Sequence, residues 1–599
     1  MPLLLECRAG DRPGRSARED TITATDPSES GACLAPGQLR APRLPALGAM
    51  APARAWALAG AIAAPMAAHV AMREGTPANV AFTLAVIGAA AAVVALVAGR
   101  ALLAAFVVTA AVALLYEIAH LKRQATDVTL HAYDAVSHLT SWSALSGLLY
   151  GHPASLAALL GAIAAAAALA AVIHRSDGSR VDRRYALGAA ALCAVLAFLT
   201  ADPREARRHM GFYYEDRPLW FFFSSWAETA EALWRGHLLD AVAREGGPSL
   251  TVPAHCVPSG RPPHIVLIHQ ESVVPPSHFP SLRYDRSLDR FFRSFDGRIH
   301  KLRVETYGGA SWLTEYSVLT GLSAFSLGHL RQFAQTIMAG KVRETLPQVL
   351  ARCGYRNLAF HPMLRIYLSI GNFLAAVGMH RTFDAKDQGA PSAMERDHFY
   401  YASALTEMER HLASSTQPLF TFIETMATHG PYGFTYMPEV EVPGGEAGTD
   451  PYMHEYLRRV AMSRIDYDRF RAELARRFPG QPFLIVRYGD HQPTATLALL
   501  GYGEEADIEH VLRSGNPAAL ITFYAVDALN FEPAPLPEAE ILDVPYLPGT
   551  ILAAARLPLP DTYRERLRLA GQCEGRYHGC PAVARFHRRL IDSGIVDAW

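Results

Sequence analysis

Four apolar runs in the second half of the chain each end on a residue able to hold a cation or move a proton. Residues 265–268 lead to Glu271, residues 357–360 to His361, residues 419–423 to His429, and residues 483–486 to Asp490 and His491. Open α/β sheets bind ligands beyond the carboxyl ends of their strands, so residues of these types at one sheet rim can converge. Two carboxylates and an imidazole suit a divalent metal: oxygen-rich ligation favours Mn²⁺, the first expectation, or Mg²⁺, and Zn²⁺ also fits. Taken singly, each residue is better explained as a strand-end cap or a surface charge. Their joint placement is what points to a metal centre.

A nucleophile is offered by residues 307–321, Tyr-Gly-Gly-Ala-Ser-Trp-Leu-Thr-Glu-Tyr-Ser-Val-Leu-Thr-Gly, in which Ser311 follows two glycines and an alanine. Gly308 and Gly309 permit close backbone approach, and Leu313, Tyr316 and Leu319 recur at helical spacing. The spacing predicts a helix that starts near Ser311. Free amides and the positive dipole end at such a start attract phosphate, and a nearby metal favours the serine alkoxide. On this segment alone, a simple N-cap serine is the better reading.

The elements that position these residues divide the chain. At 599 residues it exceeds the size of one ordinary core, and its 56 Lys plus Arg balance 57 Asp plus Glu, so net charge gives no pointer to nucleic acid. Ala-rich runs without charge lie at roughly 55–72, 80–99, 101–116, 153–173 and 185–201, each near the ~20 residues that cross a bilayer. Five spans are expected, the second and third being the least clearly separate. Arg175, Arg180, Arg183 and Arg184 in the loop between spans four and five predict that loop to be cytoplasmic, which places the chain after Asp202 outside. Trp220, Trp226 and Trp234 suit either the headgroup level or an ordinary amphipathic helix packed on the domain.

Residues 1–49 lack apolar periodicity and read as a disordered tail, or as untranslated sequence if synthesis starts at Met50. From Pro262 onward, short β-branched and aromatic runs alternate with helical patterns, which predicts an α/β domain, and residues 432–455 read as a surface loop. Cys573 and Cys580 lie close enough in sequence to bridge in an oxidising compartment, although free thiols fit the spacing equally well.

These blocks resemble the membrane-anchored branch of the alkaline phosphatase and sulfatase superfamily, which includes lipoteichoic acid synthases and periplasmic glucan phosphoglycerol transferases. The family's strand-then-Glu motif is similar to residues 264–271, its Gly-Gly-x-Thr/Ser-x-x-x-Glu block to residues 308–321, and its Gly-Asp-His block to residues 489–491. The resemblance implies that Glu271, Ser311, Asp490 and His491 hold the metal, with Ser311, in place of the more frequent threonine, as nucleophile. It implies that His429 faces the substrate phosphate and that His361 lies on the substrate side. Family members that handle phosphoglycerol carry a Phe-Trp-Asn-Arg sequence after the latter histidine. Here residues 366–373 read Ile-Tyr-Leu-Ser-Ile-Gly-Asn-Phe, leaving Arg365 or Tyr367 as substitutes. The Cys/Ser-x-Pro-x-Arg signature of sulfatases is absent around Ser311, which disfavours sulfate esters.

The resemblance therefore implies a five-span α-helical membrane region followed by an α/β sulfatase-like domain with a central mixed sheet. The expected divisions are a tail (1–49), membrane region (50–201), juxtamembrane linker with an amphipathic helix (202–261), extracytoplasmic catalytic domain (262–565) and C-terminal extension (566–599). The expected setting is the bacterial inner (cytoplasmic) membrane. The expected activity is transfer of a phospholipid-derived phosphate headgroup, of phosphoglycerol type, through a phosphoserine to a glycan or other hydroxyl acceptor. The alternatives are a phosphodiesterase or sulfatase-like hydrolase, and a non-catalytic membrane protein on the same fold.

Overall fold

The computed structural model describes residues 50–140, 153–202, 217–392, 394–442, 450–503 and 505–598; the expected tail over 1–49 lies outside them. Helices α1 (Pro52–Arg73), α2 (Pro77–Ala98), α3 (Ala101–Thr126), α5 (Pro153–Ser176) and α6 (Arg183–Thr200) are each long and apolar enough to cross a membrane, with the short α4 (Ala132–Thr140) between the third and fourth. Leu160, Ile163 and Leu169 of α5 and Leu192, Phe198 and Leu199 of α6 are exposed, an apolar exterior suited to lipid rather than water.

The expected second and third spans are separate helices. Gly99 ends α2 at a φ of 67°, a left-handed turn that glycine adopts without Cβ strain. The loop before α6 caps α3: Ser179 Oγ accepts from the amides of Ala101 and Leu102 at 2.9 and 3.1 Å, and Asp177 Oδ2 from Leu103 at 3.0 Å.

Helix α7 (Pro218–Arg235) leads into the second region, with Leu219, Trp220 and Phe221 buried and Trp234 exposed. Glu74, at the end of α1, caps α7: its Oε2 accepts from the Trp220 amide at 2.9 Å and its Oε1 from the Leu219 amide at 3.3 Å and the Tyr116 hydroxyl at 2.7 Å. A carboxylate there satisfies free amides and complements the helix dipole.

The second region is built on one eight-stranded mixed sheet of order β4-β3-β5-β1-β6-β7-β2-β8. The strands are β1 (His264–Gln270), β2 (His300–Arg303), β3 (Arg356–Phe360), β4 (Arg381–Phe383), β5 (Leu419–Thr425), β6 (Phe483–Gly489), β7 (Ile521–Leu529) and β8 (Ile541–Asp543). From β4 to β6 neighbouring strands are parallel, whereas β7 runs antiparallel to both β6 and β2. β1, β5 and β6 are buried along their whole length, so they read as continuous apolar runs rather than as alternation.

Alternate residues pack on opposite faces. Ile265 and Leu267 of β1 and Phe420 and Phe422 of β5 pack with Leu313 and Tyr316 of α8 (Ser311–Thr320). Val266, Ile268, Ile423 and Ile485 pack with Tyr401 and Leu405 and with Tyr456 and Val460 of α9 (Pro451–Arg477).

Of the expected C-terminal extension over 566–599, the structure describes residues 566–598. Leu569, Phe586 and Leu590 pack into the same core as α8, because the helix Pro581–Asp592 turns a strongly apolar side inward. Two disulfides close the domain, Cys573–Cys580 and Cys256–Cys353, the second spanning 97 residues. Closing a loop of about 100 residues is worth ~5 kcal/mol on the chain-entropy scale. Cys256→Ser with Cys353→Ser is expected to lower unfolding stability on that scale, read as a drop in the denaturant midpoint of the detergent-solubilised chain; an unchanged midpoint would contradict it.

Candidate active site

The carboxyl ends of β1, β3, β5 and β6 lie at one rim because these strands are parallel, and the chain leaves each on a polar residue. Glu271 directly follows β1. Asp490 and His491 directly follow β6, which is hydrogen-bonded to β1. Ser311 opens α8, but it is not the helix cap. Ala310 occupies that position at a left-handed φ of 65°, with no side-chain capping bond. A non-glycine residue there is held against its backbone preference, as happens at functional sites. Behind it, Gly308 has a φ of 69°, and a Cβ on it would meet Ile508 Cγ1 at 2.8 Å. Gly308 is thus required by both conformation and space.

The four expected ligands converge. Ser311 Oγ donates to Glu271 Oε2 at 2.8 Å and lies 3.4 Å from His491 Nε2. His491 Nε2 lies 3.1 Å from Glu271 Oε1 and 3.4 Å from Asp490 Oδ2. His491 Nδ1 faces the Gln492 carbonyl at 3.0 Å, which can only accept, so Nδ1 carries a hydrogen and the neutral ring offers an Nε2 lone pair to the cluster. Asp490 Oδ1 accepts from the amides of Ser272 and His491, each at 2.7 Å. Its Oδ2, fully buried, forms no hydrogen bond of good geometry and faces the imidazole nitrogens of His269 at 3.2 Å and His491 at 3.4 Å. A buried carboxylate oxygen without a well-aligned hydrogen bond, a second carboxylate and an imidazole lone pair close together are the donor set of a divalent cation.

Electrostatics agree. Burial alone would raise the Glu271 carboxyl, but the His491 imidazole, with His429 and His269, holds it well below the ordinary carboxylate range. Burial would lower His491, and Asp490 and Glu271 reverse this, raising it to about 9. A positive charge is therefore favoured where those side chains meet.

His429 sits at the edge of this cluster, half-buried, its Nδ1 2.6 Å from the Gly430 carbonyl, which leaves Nε2 as its reactive nitrogen. Its loop is fixed from below by Arg459, fully buried, which donates to the carbonyls of His429 at 2.6 Å, Pro431 at 3.0 Å and Phe434 at 3.3 Å and pairs with Glu455 at 2.7 Å. Within the expected surface loop over 432–455, Tyr432 and Tyr436 are buried, because both rings stack near that guanidinium; residues 443–449 lie outside the described residues.

His361 and Arg365 lie elsewhere. His361 Nδ1 accepts from the Met363 amide at 3.1 Å and its Nε2 faces Glu424 Oε2 at 3.1 Å, so both nitrogens are engaged inside the domain. The Arg365 guanidinium, about half exposed, pairs with Asp384 at 3.0 Å and with Asp387. Sequence reasoning missed His269, whose Nε2 is 3.2 Å from Asp490 Oδ2 and whose Nδ1 is 2.8 Å from the Tyr488 hydroxyl. It lies two residues before Glu271 in β1, and strand alternation was the signal that places both toward one side.

Comparison with known proteins matches residues 302–512 to the sulfatase family model. An uncharacterized protein of Haemophilus influenzae is 24% identical over 241 residues, a match covering 38% of this chain and 41% of that protein, well under two thirds of its length. Among solved structures, the Streptococcus pyogenes phosphoglycerol transferase GacH, in complex with sn-glycerol-1-phosphate, aligns at 14% identity and a TM-score of 0.42, covering 57% of this chain and 87% of its own. Lipoteichoic acid synthase LtaP of Listeria monocytogenes aligns at 16% and 0.38, covering 53% and 77%. Lipooligosaccharide phosphoethanolamine transferase A of Neisseria meningitidis aligns at 12% and 0.38, covering 87% of this chain and 98% of its own.

Proposed function

We propose, from the premise that the chain carries a sulfatase-family domain over residues 302–512, that it is a membrane-anchored phosphotransferase with Ser311 as nucleophile. The observation that carries this reading is the Ser311 hydroxyl, 2.8 Å from Glu271 and 3.4 Å from His491 Nε2, which itself lies 3.4 Å from Asp490 Oδ2.

Glu271, Ser311, Asp490 and His491 would hold one divalent cation, with manganese the first expectation and magnesium or zinc the alternatives. When bound, such an ion neutralises a phosphate oxygen and favours ionised serine. The donor is a phospholipid, because the apolar helices keep the site at a bilayer surface.

Ser311 Oγ attacks the phosphorus of the headgroup diester while its hydrogen passes toward Glu271 Oε2, and the bond from phosphorus to the lipid oxygen breaks. His429, protonated at Nε2, donates to that leaving oxygen, which departs as diacylglycerol; general-acid help of this kind is worth roughly 10²- to 10⁴-fold. A glycan or other acceptor hydroxyl then attacks the phosphorus of the phosphoserine and passes its proton to His429, while the bond from phosphorus to Ser311 Oγ breaks and Ser311 takes back the hydrogen held at Glu271. The missing Trp and Arg after His361, together with the outward pairing of Arg365, leave a headgroup site unlike the phosphoglycerol pattern. Two disulfides support an extracytoplasmic domain on the bacterial inner membrane, as does the Arg-rich loop between α5 and α6.

The test uses the full chain in vesicles of headgroup-labelled phosphatidylglycerol or phosphatidylethanolamine with manganese chloride. The expected result is diacylglycerol release with the label on an acceptor. Label appearing only as free headgroup phosphate would favour the hydrolase, and release from neither lipid would sink the phospholipid donor.

A further inference from the structure

The turn after β1 holds one residue in a conformation that its side chain resists. Ser272, 3% exposed, has a φ of 58°, in the left-handed region that glycine enters freely and serine does not. The turn is packed too closely to relax. The Val273 carbonyl fills the space that a Cβ on Gly489 of β6 would need, and the Val274 amide donates to the Tyr456 hydroxyl at 2.9 Å. Glycine at 272 would meet the same backbone demand without strain, so the serine side chain needs a reason of its own.

That reason lies in what its hydroxyl touches. Ser272 Oγ donates to Glu271 Oε1 at 2.8 Å, the oxygen that His491 Nε2 also faces at 3.1 Å. The other oxygen, Oε2, accepts from the Ser311 hydroxyl at 2.8 Å. The last torsion of a glutamate is soft and roughly two-fold, so a carboxylate held by a hydroxyl on one side alone can swing. With a hydroxyl on each oxygen it keeps one plane, and the two oxygens keep separate duties. The Ser272 amide meanwhile donates to Asp490 Oδ1 at 2.7 Å. One strained residue thus directs two carboxylates that follow neighbouring strands, β1 and β6. Thr428 Oγ1 donates to the Glu271 carbonyl, so the backbone of Glu271 is pinned separately and the bond to its carboxylate is the part that the Ser272 hydroxyl adds.

We propose that Ser272 is a positioning residue of the Ser311 centre, its hydroxyl holding the Glu271 carboxylate with Oε2 toward Ser311 and its amide holding Asp490. The inference rests on the proposed function, in which Glu271 and Asp490 are cation ligands. Donors behind a ligating group are worth roughly 10- to 100-fold in metal affinity or activity.

The test titrates manganese chloride into the purified full chain by isothermal calorimetry and follows thermal unfolding without metal, for wild type, Ser272→Gly and Ser272→Thr. Ser272→Gly keeps the amide and relieves the left-handed turn, so its unfolding midpoint is expected to hold while manganese binds roughly 10- to 100-fold more weakly. Ser272→Thr keeps the hydroxyl on a β-branched residue that resists positive φ, so its midpoint is expected to fall while its affinity stays near that of wild type. At saturating manganese, headgroup release is expected to drop through kcat in Ser272→Gly and to persist in Ser272→Thr. Wild-type affinity in Ser272→Gly, or equal loss of affinity in both variants, would overturn the proposal; if Ser272→Thr does not fold, the glycine variant decides alone. A wild-type chain that binds no manganese would refute the cation centre itself, and this inference with it.

Discussion

Ser311→Ala is expected to abolish headgroup release, by ~10⁴-fold or more, since removing a nucleophile that works as one unit with its neighbours costs nearly all of the catalysis. The hydroxyl makes a single firm bond, to Glu271, and is half-buried, so its loss changes stability by about 1 kcal/mol. The fold should therefore survive, as read by circular dichroism and thermal unfolding. Ser311→Thr keeps an oxygen at the same position and is expected to retain turnover. Mass spectrometry of the wild-type chain incubated with lipid and no acceptor should show a phosphoryl-headgroup adduct that is missing from Ser311→Ala. An alanine variant that still releases diacylglycerol would remove Ser311 from the mechanism.

The second large effect is expected of Asp490→Asn. The asparagine oxygen can still accept the amides of Ser272 and His491, so the turns after β1 and β6 are preserved. What disappears is the negative charge, and with it the Oδ2 acceptor that faces His269 and His491. Changing even a supporting residue of a metal site costs 10- to 100-fold in affinity, so loss of a direct ligand should exceed ~100-fold. Activity should vanish at micromolar manganese and recover in part at millimolar concentrations, whereas chelation of the wild-type chain should abolish it. Turnover unaffected by the substitution would place the metal elsewhere.

Much of this site was legible in the sequence because buried parallel strands are continuous apolar runs, and the polar residues within a few positions of each run's end mark the rim. Glu271, Asp490 and His491 were found that way, and Ser311 by the helix that begins at it. The N-cap reading of Ser311 failed because Ala310 takes the cap position in a left-handed conformation that composition does not announce. His269 and Glu424 escaped because they lie within the last residues of β1 and β5, short of the positions beyond the strand ends; alternation from Glu271 back to His269 was the signal that was passed over. The strands β4 and β8, three residues each, are too short for periodicity. The Cys256–Cys353 bridge spans 97 residues, and pairing at that range depends on the sheet order rather than on spacing. The helices after residue 565 belong to the core because their apolar sides complete it, a fact visible only once α8 is in place.

The Glu74 cap on α7 bears on reach. A head hung from a slack tether would sweep a wide shell of solution and meet acceptors wherever they drift. A carboxylate at the end of α1 that grips the first amides of α7 removes that slack by tying the last turn of an apolar helix to the start of the helix that leads into the second region. On the proposed function, such a tie would favour acceptors anchored in or lying on the same membrane over those free in solution.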